Sequence, residues 1–230
     1  MSVLEVIALD AADAERAEAG GADRVELVGT MDDDGLSPDP RTVARVRAVT
    51  SIQVRPMVRL RAGFGGDGQS VRLRELISSY LDAGADGVVL GFLTPDNRVD
   101  LDVMGDLVGD GSFAWTFHRA IDHCADSDRA WAEIRSLPGL TQVLTAGSAS
   151  GVGDGVAALL SRSRADAHIA RLIMAGGGLE TAHVPKLVRA GVRAFHIGSP
   201  ARPGGSFSEG VDADLVRTWR DLIDAEAANT

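Results

Sequence analysis

Residues 17–28 read AEAGGADRVELV, residues 81–90 read LDAGADGVVL and residues 188–197 read VRAGVRAFHI. Each stretch is a helix tail, a glycine, a short turn and then an apolar run. Glycine supplies the left-handed conformation that ends a helix. The run after it is rich in Val, Leu, Ile or Phe and too short for a helix, so it reads as a strand. The same logic places eight strands along the chain, over residues 4–8, 24–28, 52–60, 87–92, 113–118, 142–146, 171–175 and 194–198. Helices are expected over residues 11–19, 40–48, 71–82, 101–107, 127–135, 153–161, 181–189 and 212–225. Strict alternation of strand and helix calls for a parallel sheet covered by helices. An open doubly wound sheet normally has fewer strands and often a glycine-rich turn after the first. Here the first strand runs into Leu9-Asp10-Ala11-Ala12, with no glycine. The expected fold is therefore α/β, a single (β/α)8 TIM barrel forming one domain over residues 1–230.

Local chemistry supports the helix starts. Ser70, Asp100, Asp126 and Asp212 stand where capping side chains belong. Pro38 and Pro40 precede or open the second helix, where a missing N–H does little harm.

The 230 residues carry 23 Lys and Arg against 33 Asp and Glu, a net charge of −10. A surface that acidic repels phosphate backbones and anionic lipids, so neither nucleic acid nor membrane is expected as a partner. The one cysteine, Cys124, cannot form an internal disulfide or a multi-thiolate metal site. The opening Met-Ser-Val-Leu-Glu-Val has no basic region, so no targeting segment is expected and the address is read as cytoplasmic.

Side chains alternate along a strand, one set facing the helices and the other the barrel interior. The interior set then holds Glu5, Glu26, Arg55, Arg59, His118 and His196. Barrel interiors are usually filled by Val, Ile and Leu, and buried charges must be compensated. The set is either a structural ion-pair layer of two acids and two arginines, or an acid–base constellation open to a ligand at the mouth. Arg59 and His118 lie near the C-terminal ends of their strands, where barrel sites assemble; Glu5 is deeper and reads as support.

After the fifth strand comes His118-Arg119-Ala120-Ile121-Asp122-His123-Cys124, the densest chemistry in the chain. His118 is expected to exchange protons near neutral pH, with Asp122 setting its tautomer or acting as the base. An Arg119–Asp122 pair that merely fixes the loop is the structural alternative. His118, Asp122 and His123 are candidate metal ligands without a diagnostic spacing, and Cys124 beside His123 is a further candidate for a cation. Catalytic candidates are thus Glu26, Arg59, His118, Arg119, Asp122 and His196. The seventh strand ends in Gly176-Gly177-Gly178 and the eighth in Gly198-Ser199, with Arg202 beyond. Backbone N–H groups of these two loops hold phosphate in many barrels, so Gly176, Gly177, Gly198 and Ser199 are candidates for binding phosphate or another anion, with a charge from Arg202. The turn Thr145-Ala146-Gly147-Ser148 is expected to line the same mouth. A small anionic molecule is the expected partner.

The chain also resembles the CutC family, through Leu4-Glu5-Val6, the GADRVEL of residues 21–27 and the DGLSP of residues 34–38. The match continues with RPMVR at 55–59, TFHRA at 116–120, VLTAG at 143–147, IMAGGG at 173–178, AGV at 190–192 and His196, covering nearly the whole chain. The resemblance implies a single-domain cytoplasmic TIM barrel, a role in copper homeostasis with copper as ligand, and a homodimer or larger homo-oligomer. Copper(I) favours thiolates and thioethers. Where relatives often carry cysteine after the Val-Glu-Leu of the second strand, this chain has Val28, leaving Cys124 and the methionines Met57, Met104 and Met174. The loop at residues 61–66, RAGFGG, also departs from the family's glycine-aromatic-acidic pattern. Trp131 and Trp219 fall on outer helices, where they mark either a subunit interface or packing on the barrel.

Overall fold

The computed structural model describes residues 2–66 and 68–229. Eight parallel strands, β1 (Val3–Ala8), β2 (Arg24–Leu27), β3 (Gln53–Pro56), β4 (Val88–Leu90), β5 (Trp115–Phe117), β6 (Leu140–Thr145), β7 (Ile173–Ala175) and β8 (Ala194–Ile197), run in the order β3-β2-β1-β8-β7-β6-β5-β4. The ends of that order meet. Met57 bridges Val89, Val58 N–H donates to the Val89 carbonyl at 2.8 Å, and Asp86 N–H donates to that of Val54 at 3.0 Å. The fold is the (β/α)8 barrel the alternation predicts.

The covering helices are α1 (Ala11–Ala19), α2 (Pro40–Arg47), α3 (Ser70–Asp82), α4 (Leu101–Val108), α5 (Ser127–Ile134), α6 (Val152–Ala165), α7 (Ala167–Leu172), α8 (Val184–Arg189) and α9 (Ala213–Ala228). Asp100, Asp126 and Asp212 cap α4, α5 and α9 through their carboxylates, and Pro40 sits in the first turn of α2. Ser70 does not cap: it lies inside α3, whose N-cap position is Gln69. The seventh strand is shorter than expected, because residues 171 and 172 complete α7. Asp166 caps that extra helix by accepting from His168 and Ile169 N–H. The third strand likewise stops at Pro56, four residues short of the expected end.

The alternation of side chains holds. Leu4, Val6, Val25, Leu27, Val54, Trp115, Phe117, Phe195 and Ile197 join the main hydrophobic core under the helices. Among the described residues the barrel interior carries two small apolar clusters, Ile7–Val28–Met57–Val89 and Leu144–Met174–Ala194. Buried polar side chains fill the rest: Glu5, Arg24, Glu26, Arg55, Thr116, His118 and His196. Trp131 and Trp219 are buried in the core of this single chain, so neither offers an exposed ring to a partner.

Candidate active site

Strand register builds the interior network. Glu5 lies beside Arg24 on one side and His196 on the other, and Glu26 lies beside Arg55. Glu5 is fully buried and takes Arg24 Nε on one oxygen at 2.5 Å and His196 Nδ1 on the other at 2.7 Å. Burial alone would raise its pKa, but Arg24 and the His196 hydrogen bond outweigh that and hold it at about 2. Among the described residues Arg55 forms no ion pair with a carboxylate; it donates to the hydroxyls of Thr116 and Thr141, both at 2.8 Å. The interior is therefore not the expected layer of two acids against two arginines. Arg24 is the true counterion, and its place two residues before Glu26 gives it the same inward parity, a signal available in the sequence.

Glu26 is the unbalanced member. His196 Nε2 stands 3.6 Å from its Oε2, while Oε1 is buried without a hydrogen-bond partner among the described residues. Desolvation, reinforced by the Glu5 charge, raises Glu26 to about 7 against the pull of His196 and Arg24. Desolvation works to lower His196, but the Glu5 hydrogen bond and the two carboxyl groups outweigh it and raise its pKa.

A cavity of about 290 Å³ opens at the C-terminal ends of the strands. Glu26, Arg59, His118, Arg119, His123 and His196 line it with Gly177, Gly198 and Ser199. Apolar walls come from Ile7, Met31, Met57, Leu144, Leu179 and Phe207. Arg59, expected on the third strand, lies beyond its end. Its Nε and Nη1 donate to the carbonyls of Gly63, Asp33 and Gly35, leaving Nη2 without a partner among the described residues. Phe64 closes over this corner, its ring 5.1 Å from the Arg59 guanidinium, 5.5 Å from the His118 ring and 5.0 Å from that of His123. The loop at residues 61–66 stood out in the sequence only by its departure from the family pattern, and neither Phe64 nor Met31 was picked out as a site residue, because their loops carry no periodicity.

The loop after β5 does not form the expected His118–Asp122 pair. Asp122 takes Arg119 Nε at 3.0 Å, Thr145 Oγ1 at 2.6 Å, and the N–H groups of Ala146 at 2.8 Å and Gly147 at 3.1 Å. It lies outside the cavity lining, and the turn at residues 145–148 is spent on holding it rather than on lining the mouth. Arg119 is steadied from behind by Asp122 and by the carbonyls of Ser148 and Ala149, leaving Nη1 without a partner among the described residues. His118 accepts Ala120 N–H at Nδ1 instead, and burial with the nearby Arg59 charge pushes its pKa down to about 3. It is thus not a proton exchanger near neutral pH.

The two glycine loops divide their work. Gly176 is absent from the lining; a Cβ there would meet Leu144 Cδ1 at 2.7 Å and His196 Cβ at 2.8 Å, so this glycine lets β7 approach its neighbours. Gly177, at φ +87°, packs on the Arg119 guanidinium. The N–H groups of Gly177, Gly178, Gly198 and Ser199 have no hydrogen-bond partner among the described residues, which leaves them available to an anion. Arg202 is not at this rim. It is buried on Asp13, the carbonyls of Ile7 and Glu209, and the Phe207 ring.

His123 and Cys124 part company. His123 lines the cavity, whereas Cys124 lies outside the lining and donates to the Ala120 carbonyl at 3.6 Å. Burial, with Asp122 and Glu133 nearby, pushes its thiol up to about 11, which disfavours the thiolate a metal needs. Among the described residues no cluster of three or more His, Cys, Asp or Glu side chains is placed to hold a metal ion. Met104 is buried under the helices and Met174 faces Arg24 inside the barrel. No helix among them is long and apolar enough to cross a membrane.

The family model described as the CutC family matches residues 2–200. A CutC family protein from Klebsiella pneumoniae (strain 342) is 35% identical over 234 residues, covering 95% of this chain and 92% of the relative. Another, from Salmonella schwarzengrund (strain CVM19633), is 32% identical over 233 residues, covering 96% and 92%. Among solved structures, a candidate copper homeostasis protein CutC from Streptococcus agalactiae matches with a TM-score of 0.75 at 23% identity, over 86% of this chain and 98% of that one. With matches of this extent, the chain belongs to the CutC family.

Proposed function

We propose that the barrel mouth binds a small anionic metabolite, phosphorylated or carboxylated, and acts on it by general acid–base chemistry, with Glu26 as the proton-transferring group. The observation that carries this reading is Glu26 itself: a buried carboxyl with one unpartnered oxygen, lining a cavity and raised to about 7. A base titrating near neutral pH combines availability with proton affinity. Arg59, Arg119 and the free N–H groups of the two glycine loops supply the charge and donors for the anion. The lone cysteine, which can form no internal disulfide, supports a reducing, cytoplasmic setting.

The test is a turnover screen. The small-molecule fraction of a bacterial extract is incubated with the protein and with Glu26→Gln, and followed by mass spectrometry. An anionic compound should be converted by the parent at least roughly 100-fold faster than by the variant, the scale of general acid–base catalysis. A pool left unchanged by the parent contradicts the reading.

A second reading follows the family's name. Copper homeostasis, the role printed for the Streptococcus agalactiae relative, would make copper(I) the cargo of the same mouth. Met31 and Met57 favour it, because both thioethers line the cavity together with His118, His123 and His196, and copper(I) takes soft sulfur donors. Anaerobic copper(I) titration decides it: stoichiometric binding lost in a Met31→Leu/Met57→Leu variant supports the cargo role.

A further inference from the structure

His118 is placed as a donor. Its Nδ1 accepts the Ala120 N–H, so the neutral ring carries its proton on Nε2. That Nε2 is buried without a partner among the described residues, on a side chain that lines the cavity. A buried donor left unmade costs about 1–3 kcal/mol, a penalty that an oxygen of a bound ligand would relieve. Glu26 Oε1 is the matching orphan acceptor on the same cavity. A neutral donor that polarises a carbonyl oxygen and a carboxylate that accepts a proton are together the parts needed to break a C–H bond beside that carbonyl.

We propose that the cavity takes a small anionic carbonyl compound and moves a proton on the carbon next to its carbonyl. This rests on the acid–base reading of Glu26 and deepens it. The C–H bond breaks and its proton passes to the Glu26 carboxylate. The C–H electron pair forms the enolate C=C bond, and the carbonyl π pair moves to oxygen, held by His118 Nε2–H. Return of the proton to the same carbon restores the compound. In an α-hydroxy carbonyl, the hydroxyl proton passes to the former carbonyl oxygen and Glu26 protonates the former carbonyl carbon, which interconverts aldehyde and ketone. Neither route needs an oxidant or a reductant. Arg59 and Arg119, with their free guanidinium nitrogens, answer the anionic end of the ligand.

The experiment is carbon deuteration. The same small-molecule fraction is exchanged into D2O and incubated with the protein, with Glu26→Gln and with His118→Asn, which keeps an acceptor for Ala120 N–H but lacks the Nε2 donor. An anionic carbonyl compound should gain deuterium on the carbon beside its carbonyl, at a rate that falls roughly 100-fold or more in either variant. If a compound is converted in a Glu26-dependent way but gains no deuterium on carbon, this inference fails and the acid–base reading stands. If nothing is converted or deuterated, both fail. Deuteration that is unaffected in His118→Asn removes His118 from the step. Should that variant not fold, the ¹⁵N spectrum of the parent's imidazoles takes its place: a neutral Nε2–H ring at about pH 6 is expected, and a charged or Nδ1–H ring overturns the assignment.

Discussion

Two buried glutamates on neighbouring strands have opposite fates, and their partners decide which. Glu5 has Arg24 and His196 within hydrogen-bond distance; among the described residues Glu26 has only the edge of His196. Glu5 therefore stays ionised and structural, while Glu26 keeps a proton available near neutrality. Removing Glu5 alone strands the Arg24 guanidinium in the barrel. Glu5→Leu should destabilise the fold by about 3–5 kcal/mol, and the Glu5→Leu/Arg24→Met double variant by clearly less, because the pair is removed together. Urea midpoints of the three proteins check this. The pH sign follows from the depressed value of Glu5: its contribution is present above about pH 4.5, the ordinary carboxyl value, and is lost as pH falls toward about 2. A Glu5→Leu protein as stable as the parent at neutral pH would refute the pairing. The inward parity of these acids was legible in the sequence, but which of them was paired was not, since pairing depends on register between strands distant in the chain.

At the scale of elements, glycine does two different jobs within α6. A Cβ on Gly155 would lie 1.9 Å from the Ala146 carbonyl oxygen, so this residue lets the helix dock on the loop after β6. Gly153, two residues earlier in the same helix, has nothing within 4 Å of its would-be Cβ and no positive φ. Gly155→Ala should destabilise by roughly 1–3 kcal/mol through overpacking, while Gly153→Ala should be neutral or stabilise by up to about 1 kcal/mol through helix propensity. Thermal unfolding of the two separates them, and equal effects would contradict the docking. Both glycines look alike in the sequence. The helix-glycine-strand joints, by contrast, were readable because each is a local motif. Of the misread elements, α7 in place of the start of β7 hangs on Asp166 turning its carboxylate to the backbone, while α3 starts after Gln69 with no side-chain cap, so its first turn carries no local signal.

Across the whole molecule, an acidic surface surrounds a mouth that concentrates guanidinium groups and free N–H donors. The net charge of −10 works against polyanions, and the recessed donors are the groups to which we propose a small anion binds. The barrel and the family were legible along nearly the whole chain, because a repeated helix-glycine-strand joint, the alternation of strand and helix and a set of short blocks span it. The site was legible only in outline. Glu26, Arg59, His118, Arg119 and His196 meet at one cavity as expected, yet Asp122, Gly176 and Arg202 turned out to hold the scaffold around it. Length and alternation could not separate these roles, since an arginine that grips carbonyls and one that grips an acid read the same. A barrel hosts many chemistries, so the proposed reaction rests on the protonation states of two side chains rather than on the fold. The most direct test is therefore the titration of the Glu26 carboxyl itself, followed by ¹³C NMR on glutamate-labelled protein and assigned by its absence in Glu26→Gln. A midpoint near 7 is the predicted result; a midpoint below about 5, at the ordinary value of an exposed carboxyl, would contradict its role as the proton-transferring group.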